Sequence, residues 1–217
     1  MEMKPSESEE RIFRKVDFST SGKGFQRKLL IIQSAIHCVA TVGLENTTYD
    51  AVAKLAKMQR SHVAYYFKNF DELISTMIRF VILSAQEITI ERLLAANTPP
   101  ERVEAVVQAA FLQAERYPKH GCVLTLLWSL GSRETSYRRF NTEIRTQGCE
   151  RIEALIELIL SQAGTPDRLR AHFLAKAIQS MVYGYLLEYY STTSFQSLSE
   201  ARDMALKAVR MLISADP

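Results

Sequence analysis

Gln59, Arg60, Ser61, His62 and Tyr65 fall within one short stretch of the chain. Each can exchange hydrogen bonds with a base edge or a phosphate oxygen. An arginine forks onto the O6 and N7 of guanine, and a glutamine does the same on adenine. Serine, histidine and tyrosine add adaptable hydrogen-bonding groups beside them. On a helix these side chains point outward, and Val63 is the inward-facing residue. The chemistry on offer is recognition of a polyanion with readable edges.

The elements that must position these groups lie on either side. Thr48–Leu55 is a short helical pattern with a small apolar face of Val52, Ala53 and Ala56. A second pattern covers about Gln59–Tyr65. Ala56-Lys57-Met58 between them leaves room for a tight turn only. Two helices joined so briefly cannot lie antiparallel, so they cross steeply, as in a helix-turn-helix. The second helix of that motif enters the major groove. Gln59 and Arg60 open it and are the candidate base readers. Tyr65, Tyr66 and Lys68 close or follow it and are candidates for the backbone. Phe67 reads as the hydrophobic joint to the next helix.

Charge supports this. The net charge is only +3, but residues 11–70 hold ten Lys/Arg against three Asp/Glu, whereas residues 71–217 balance 16 against 17. A basic N-terminal third on a neutral body is the footprint of a nucleic-acid binder.

The order of residues resembles the tetracycline-repressor (TetR) family of bacterial transcription regulators. The resemblance rests on Thr48, Val52, Ala53, Ala56, Met58, Tyr66, Phe67 and Leu73 and covers about residues 25–75. It implies a DNA-binding head, a helical body with a pocket for an inducing ligand, and a dimer built on the last two long helices. Three positions depart from the family pattern. Lys57 replaces the usual turn glycine, Gln59 stands where Ser or Thr usually caps the recognition helix, and Ala64 replaces a phosphate-contacting tyrosine that Tyr65 can stand in for.

Before the motif, residues 1–24 are polar and charged and read as a mobile basic arm. Arg11, Arg14, Lys15 and Lys23 supply its charge, and it either touches DNA or has no role. Phe25–Val42 is an amphipathic helix ended by Gly43. Arg27 and Lys28 in its first turn oppose the helix dipole, so phosphate contact gives them a motive. Thr47 or Thr48 caps the next helix, with Asp50 as the capping-box partner of Thr47; a threonine hydroxyl there also has a phosphate within its chemistry. Further helix starts appear at Asn69/Glu72, at Thr98-Pro99, at Ser132, at Thr165-Pro166 before a helix from Asp167, and at Ser197/Glu200. His120–Leu130 reads as a short apolar segment between Gly121 and Gly131. The count is about nine helices without a strand, in keeping with eight glycines and six prolines.

No catalytic constellation or metal-ligand spacing emerges from His37, His62, His120 and His172, and no phosphate loop is present. No cofactor is implied, and an enzyme is not the reading. Cys38, Cys122 and Cys149 are odd in number and unspaced, which favours a reduced compartment over a disulfide framework. The acidic first ten residues are no signal peptide. No uninterrupted apolar run approaches the ~20 residues a membrane span needs.

The body carries more aromatic surface than a small core needs. Phe111, Trp128, Phe140, Met181 and Tyr185 are the candidate effector-binding residues, in a setting that also holds Leu126, Leu127, Tyr137, Phe173 and Tyr183. Trp128 stands out because its segment is bounded by glycines. An uncharged lining fits a lipophilic or aromatic compound between helices. Wide apolar faces, Phe173, Ala177, Met181, Gly184 and Tyr185 with Leu206, Val209, Leu212 and Ile213, are compatible with the dimer that the resemblance implies.

The expectation is an all-α chain. Residues 1–24 are the arm, 25–71 a three-helix helix-turn-helix domain, and 72–217 an effector-binding and dimerisation domain. The expected function is a cytoplasmic homodimeric repressor that reads a pseudo-palindromic operator in double-stranded DNA and is released by a small molecule. The alternative is a DNA-binding regulator of the same fold with no effector. A helical enzyme with a vestigial helix-turn-helix is a distant third.

Overall fold

The computed structural model describes residues 5–17 and 22–214, and among these there are ten α-helices and no strand. They are α1 (Glu7–Val16), α2 (Gly22–Val42), α3 (Tyr49–Leu55), α4 (Arg60–Tyr66), α5 (Phe70–Ala95), α6 (Pro99–Arg116), α7 (His120–Arg133), α8 (Thr135–Gln162), α9 (Arg168–Ser191) and α10 (Leu198–Ser214). The chain forms two compact units. The first runs to Glu87 and takes in Tyr117–Leu127; the second comprises Ile88–Arg116 and the chain from Trp128 onward. The unit that holds the helix-turn-helix therefore extends well past residue 71.

The tenth helix is α1, and it corrects the reading of residues 1–24 as an arm. Ser6 accepts a hydrogen bond from Glu9 N–H, and the Glu9 carboxylate accepts one from Ser6 N–H, which completes a capping box. Glu7, Glu9 and Glu10 occupy the first turn and Arg14 and Lys15 the last, so the charges follow the helix dipole. Ile12 and Phe13 are buried. The Phe13 ring lies 5.2 Å from that of Phe25 on α2 and 6.1 Å from that of Phe80 on α5. Lys15 pairs with Glu87, and Arg11 approaches the same carboxylate at 3.6 Å. The basic tract thus hides an amphipathic helix. Residues 1–4 and 18–21 of the arm lie outside the described residues.

His120 opens α7 inside the first unit. Its imidazole stacks on Tyr117 at 4.6 Å and meets the edge of Phe80 at 6.2 Å. It is 5% exposed, and its Nδ1 has no hydrogen-bond partner. Burial pushes its pKa down to about 4.

The second unit is a helical layer around Val107, Phe111, Ile152, Ile156, Ile178 and Val209, in which α8 packs on α9 and α10 on α6 and α9. At the α8–α9 crossing Gln179 donates from Nε2 to the Arg145 carbonyl at 2.9 Å. A Cβ on Gly148 would stand 2.7 Å from that nitrogen, so glycine keeps this crossing close.

Several local expectations change. α7 runs through Gly121 and Gly131 to Arg133, longer than the segment read from the glycines. Ser132 is inside α7 and its hydroxyl donates to the Ser129 carbonyl; α8 begins after Glu134 with no side-chain cap. By length and composition α5 is apolar enough to cross a membrane, with a mean hydropathy of 1.5 over its best 18 residues. Half of that window is buried inside the protein, where Leu73, Met77, Phe80 and Val81 are core residues.

Candidate nucleic-acid interface

α3 starts at a single cap. The Thr48 hydroxyl accepts a hydrogen bond from Ala51 N–H at 3.2 Å. Thr47 is not the cap: its buried hydroxyl donates to the Gly43 carbonyl at 2.7 Å, so no Thr47–Asp50 capping box forms. Val52, Ala53 and Ala56 are buried as their spacing requires. The turn then closes through Met58 N–H, which donates to the Ala53 carbonyl. Lys57 takes up the turn with φ of 54°, the left-handed conformation that favours glycine.

α4 follows with Gln59 at its N-cap position, where the glutamine side chain makes no capping hydrogen bond. Val63 is fully buried and is the anchor of this short helix. Phe67 closes it, also fully buried, with its N–H on the Val63 carbonyl. The Tyr49 hydroxyl donates to the Phe67 carbonyl at 2.7 Å and ties the start of α3 to the end of α4. Burial first, and then the Glu72 carboxylate, raise the Tyr49 pKa against a smaller opposing effect of Arg60, which keeps the phenol a donor.

With its inner side fixed, α4 presents the rest. Gln59, Arg60, Ser61 and His62 are exposed, and Tyr65 is 80% exposed. Tyr66 is half-buried, its ring edge-on to Tyr65 at 5.1 Å. Lys68 is exposed while its backbone N–H donates to Glu72. The Arg60 guanidinium lies 3.3 Å from the Asp50 carboxylate of α3. Arg27 is exposed on α2. Lys28 differs from the other candidates. It is bonded to Asp17 at 2.8 Å and sits over the Phe67 ring at 5.3 Å, which withdraws its charge from the surface. Asp17 carries no signal in the sequence that would have announced this pairing.

The five candidate effector residues all lie in the second unit. Phe111 is buried in its core, and Met181 and Tyr185 pack against that core. Tyr185 lies 5.6 Å from Phe195. Phe140 is half-buried. Trp128 is half-buried and meets the Tyr183 ring edge-on at 5.7 Å, with the Arg145 guanidinium 4.5 Å above the same ring. Nothing in the sequence around Arg145 announces its place over an aromatic ring. The cleft described in this unit, about 420 Å³, opens along α8 and α9 between residues such as Glu153, His172 and Lys176, away from all five. There the His172 imidazole shares a hydrogen bond with Glu153 at 2.8 Å. Among the described residues no cluster of three or more His, Cys, Asp or Glu could hold a metal ion.

A closely joined helix pair, an anchored inner side and a polar outer side define a helix-turn-helix in a protein that is all α-helical among the described residues. No family model matches the chain. The HTH-type transcriptional regulator BetI of Burkholderia mallei is 26% identical over 162 residues, covering 74% of this chain and 80% of the relative. A TetR-family transcriptional regulator from Rhodococcus sp. superposes with a TM-score of 0.71 at 16% identity, covering 87% of this chain and 99% of that one. AibR, solved in complex with isovaleryl coenzyme A and operator DNA, superposes with a TM-score of 0.66 at 18% identity, covering 84% and 97%. The chain therefore has the fold of TetR-family regulators and is similar in sequence to an HTH-type transcriptional regulator.

Proposed function

We propose that the chain is a sequence-specific, cytoplasmic DNA-binding repressor that acts as a homodimer on a pseudo-palindromic operator. The observation that carries this is the recognition helix. Val63 and Phe67 hold α4 from within, so Gln59, Arg60, Ser61, His62 and Tyr65 are held outward, Arg60 beside Asp50 and Tyr65 beside Tyr66. In this reading Arg60 and Gln59 contact bases, and Tyr65, Tyr66, Lys68, Arg27 and the Thr48 hydroxyl contact the backbone. Lys28 acts indirectly, by fixing the second turn of α2 against Phe67. One seven-residue helix is too short to specify a site, so two copies must read successive major grooves ~34–36 Å apart.

A small lipophilic or aromatic effector releases the DNA. The neighbour solved with both isovaleryl coenzyme A and operator DNA supports a ligand-linked regulator, and Trp128 with Tyr183 and Arg145 is the aromatic cluster to test. The alternative, a regulator with no effector, is favoured by one observation: Phe111 fills core rather than lining a cleft.

The test is selection of bound fragments from genomic DNA, then a release screen that follows Trp128 fluorescence. Enrichment of an inverted repeat supports the reading, and a sequence-blind protein would refute it. Trp128→Ala should blunt release while leaving unliganded affinity nearly intact; equal release would place the effector elsewhere or favour the alternative.

A further inference from the structure

The geometry points to an anion-binding cleft between α1 and the first turn of α2 that grips backbone phosphates of the DNA beyond those reached by the recognition helix. This rests on the DNA-binding reading above. The cleft has a volume of about 540 Å³, and Arg14, Lys23 and Arg27 line it together with Gly22, Phe25 and Gln26.

The argument is one of charge that is left over. Six cations lie on α1 and the start of α2. Three are spent within the fold: Arg11 and Lys15 on Glu87, and Lys28 on Asp17. The other three, Arg14, Lys23 and Arg27, have no carboxylate partner among the described residues, and these three surround one cleft. Arg14 is held in place by the Phe25 ring, 4.8 Å from its guanidinium carbon. α2 has no acidic residue in its first turn. Lys23 therefore stands in the first turn, at the positive end of a 21-residue helix, with Arg27 one turn further on, an arrangement that is unfavourable until an anion arrives.

The occupant is DNA rather than an isolated ligand because of what adjoins the cleft. Lys28, next to Arg27, sits over Phe67, the residue that ends the recognition helix. Arg27 of the cleft is thus the sequence neighbour of a residue that touches the end of α4. Each cation that neutralises a phosphate steepens the salt dependence of binding by ~0.9.

The experiment measures operator affinity against salt for the full chain and for the Arg14→Ala/Lys23→Ala double variant. The double variant should bind about tenfold more weakly at low salt, with a log–log slope shallower by about 1–2 and an unchanged preferred sequence. Arg14→Lys with Lys23→Arg should restore the slope. Arg11→Ala, which removes a cation already spent on Glu87, should leave it unchanged. Both substituted positions are exposed, and a matching thermal melt shows that the fold is intact. An unchanged slope in the double variant, with the parent binding its operator, overturns the cleft alone. A parent that selects no DNA sequence overturns the DNA-binding reading and the cleft together. Thermal stabilisation by pyrophosphate in the parent but not in the double variant, with equal DNA slopes, assigns the cleft to a free phosphorylated ligand and overturns DNA as its occupant.

Discussion

Arg60, the first residue of α4, has its guanidinium 3.3 Å from the carboxylate of Asp50 on α3. Both side chains are mostly exposed, so the pair is worth no more than about 1 kcal/mol to the fold. Its meaning is positional. Asp50 holds Arg60 at the mouth of the recognition helix and repels phosphate at the same time.

Two substitutions separate these effects. Arg60→Ala should relax base preference at one operator position and cost ~1–3 kcal/mol there. Asp50→Ala should tighten binding to all sequences a few-fold, because a negative charge leaves the interface. A sequence library read with each variant checks this. Identical behaviour of the two would show that Arg60 reads no base.

Lys57 carries the turn with φ of 54°. A side chain in that conformation costs ~1–2 kcal/mol, and glycine escapes this at a loss of ~0.5–1 kcal/mol in chain entropy. Lys57→Gly should therefore stabilise the protein by ~0.5–1 kcal/mol in denaturant unfolding. Lys57→Val, which adds a β-branch at a positive φ, should destabilise it. Loss of the charge in Lys57→Gly should weaken DNA binding only slightly, since turn geometry is retained.

The sequence was most legible where a short motif fixes both backbone and face. Val63 inward and Arg60, Ser61, His62 and Tyr65 outward followed from a helix so short that one apolar residue had to anchor it. The poorly capped start at Gln59 and the unusual turn at Lys57 were also readable, because single residue types decide them. α1 was missed because its buried pair, Ile12 and Phe13, is small against a background of charge. The charges disguised an amphipathic pattern whose partners, Phe25 and Phe80, are remote in sequence. Lys28 pairs with Asp17 only eleven residues away, but the pairing depends on the position of α1, which the charges had disguised. At Gly121 and Gly131 the error was of the opposite kind: helix breakers by propensity are carried through by packing. Deleting residues 1–22 should therefore destabilise the first unit, because it strips Phe13 from Phe25 and Phe80.

His120 should give the first unit a measurable acid sensitivity. Its pKa in the fold is about 4, against an ordinary value near 6.5. Between those values the unfolded chain binds the proton and the folded chain does not. Stability is therefore fully present above pH ~6.5 and is lost as pH falls toward 4, by about 3 kcal/mol in all. Charging the imidazole would place an ion between Tyr117 and Phe80, with no partner for Nδ1. His120→Phe keeps the aromatic stack and removes the titration. Denaturant unfolding at pH 7.5 and pH 4.5 should show a markedly smaller loss in the variant. Equal losses would assign the acid sensitivity to other groups.

The last prediction concerns assembly. α9 leaves Leu169 81% and Phe173 68% exposed, with Leu187 also exposed further along it and nothing near the face of Gly184. α10 leaves Met204 and Met211 exposed. On α9 these residues recur near helical spacing, at 169, 173, 184 and 187, with only the half-buried Ala177 and the polar Lys176 and Ser180 between. Two exposed apolar patches, Leu169 with Phe173 and Gly184 with Leu187, separated by Lys176 and Ser180, are what a second copy would cover. Gly184 permits close approach of two helices there. Phe173→Glu puts a carboxylate on that face in each copy, and burial of two such charges without partners opposes association. Because Phe173 is exposed in the single chain, the substitution should change the stability of the isolated chain by less than ~0.5 kcal/mol. It should nevertheless convert a micromolar dimer to monomer in sedimentation, and operator binding should fall with it, because each copy then engages a half-site alone. A variant that stays dimeric, or a parent that sediments as a monomer at that concentration, would remove α9 and α10 from the interface.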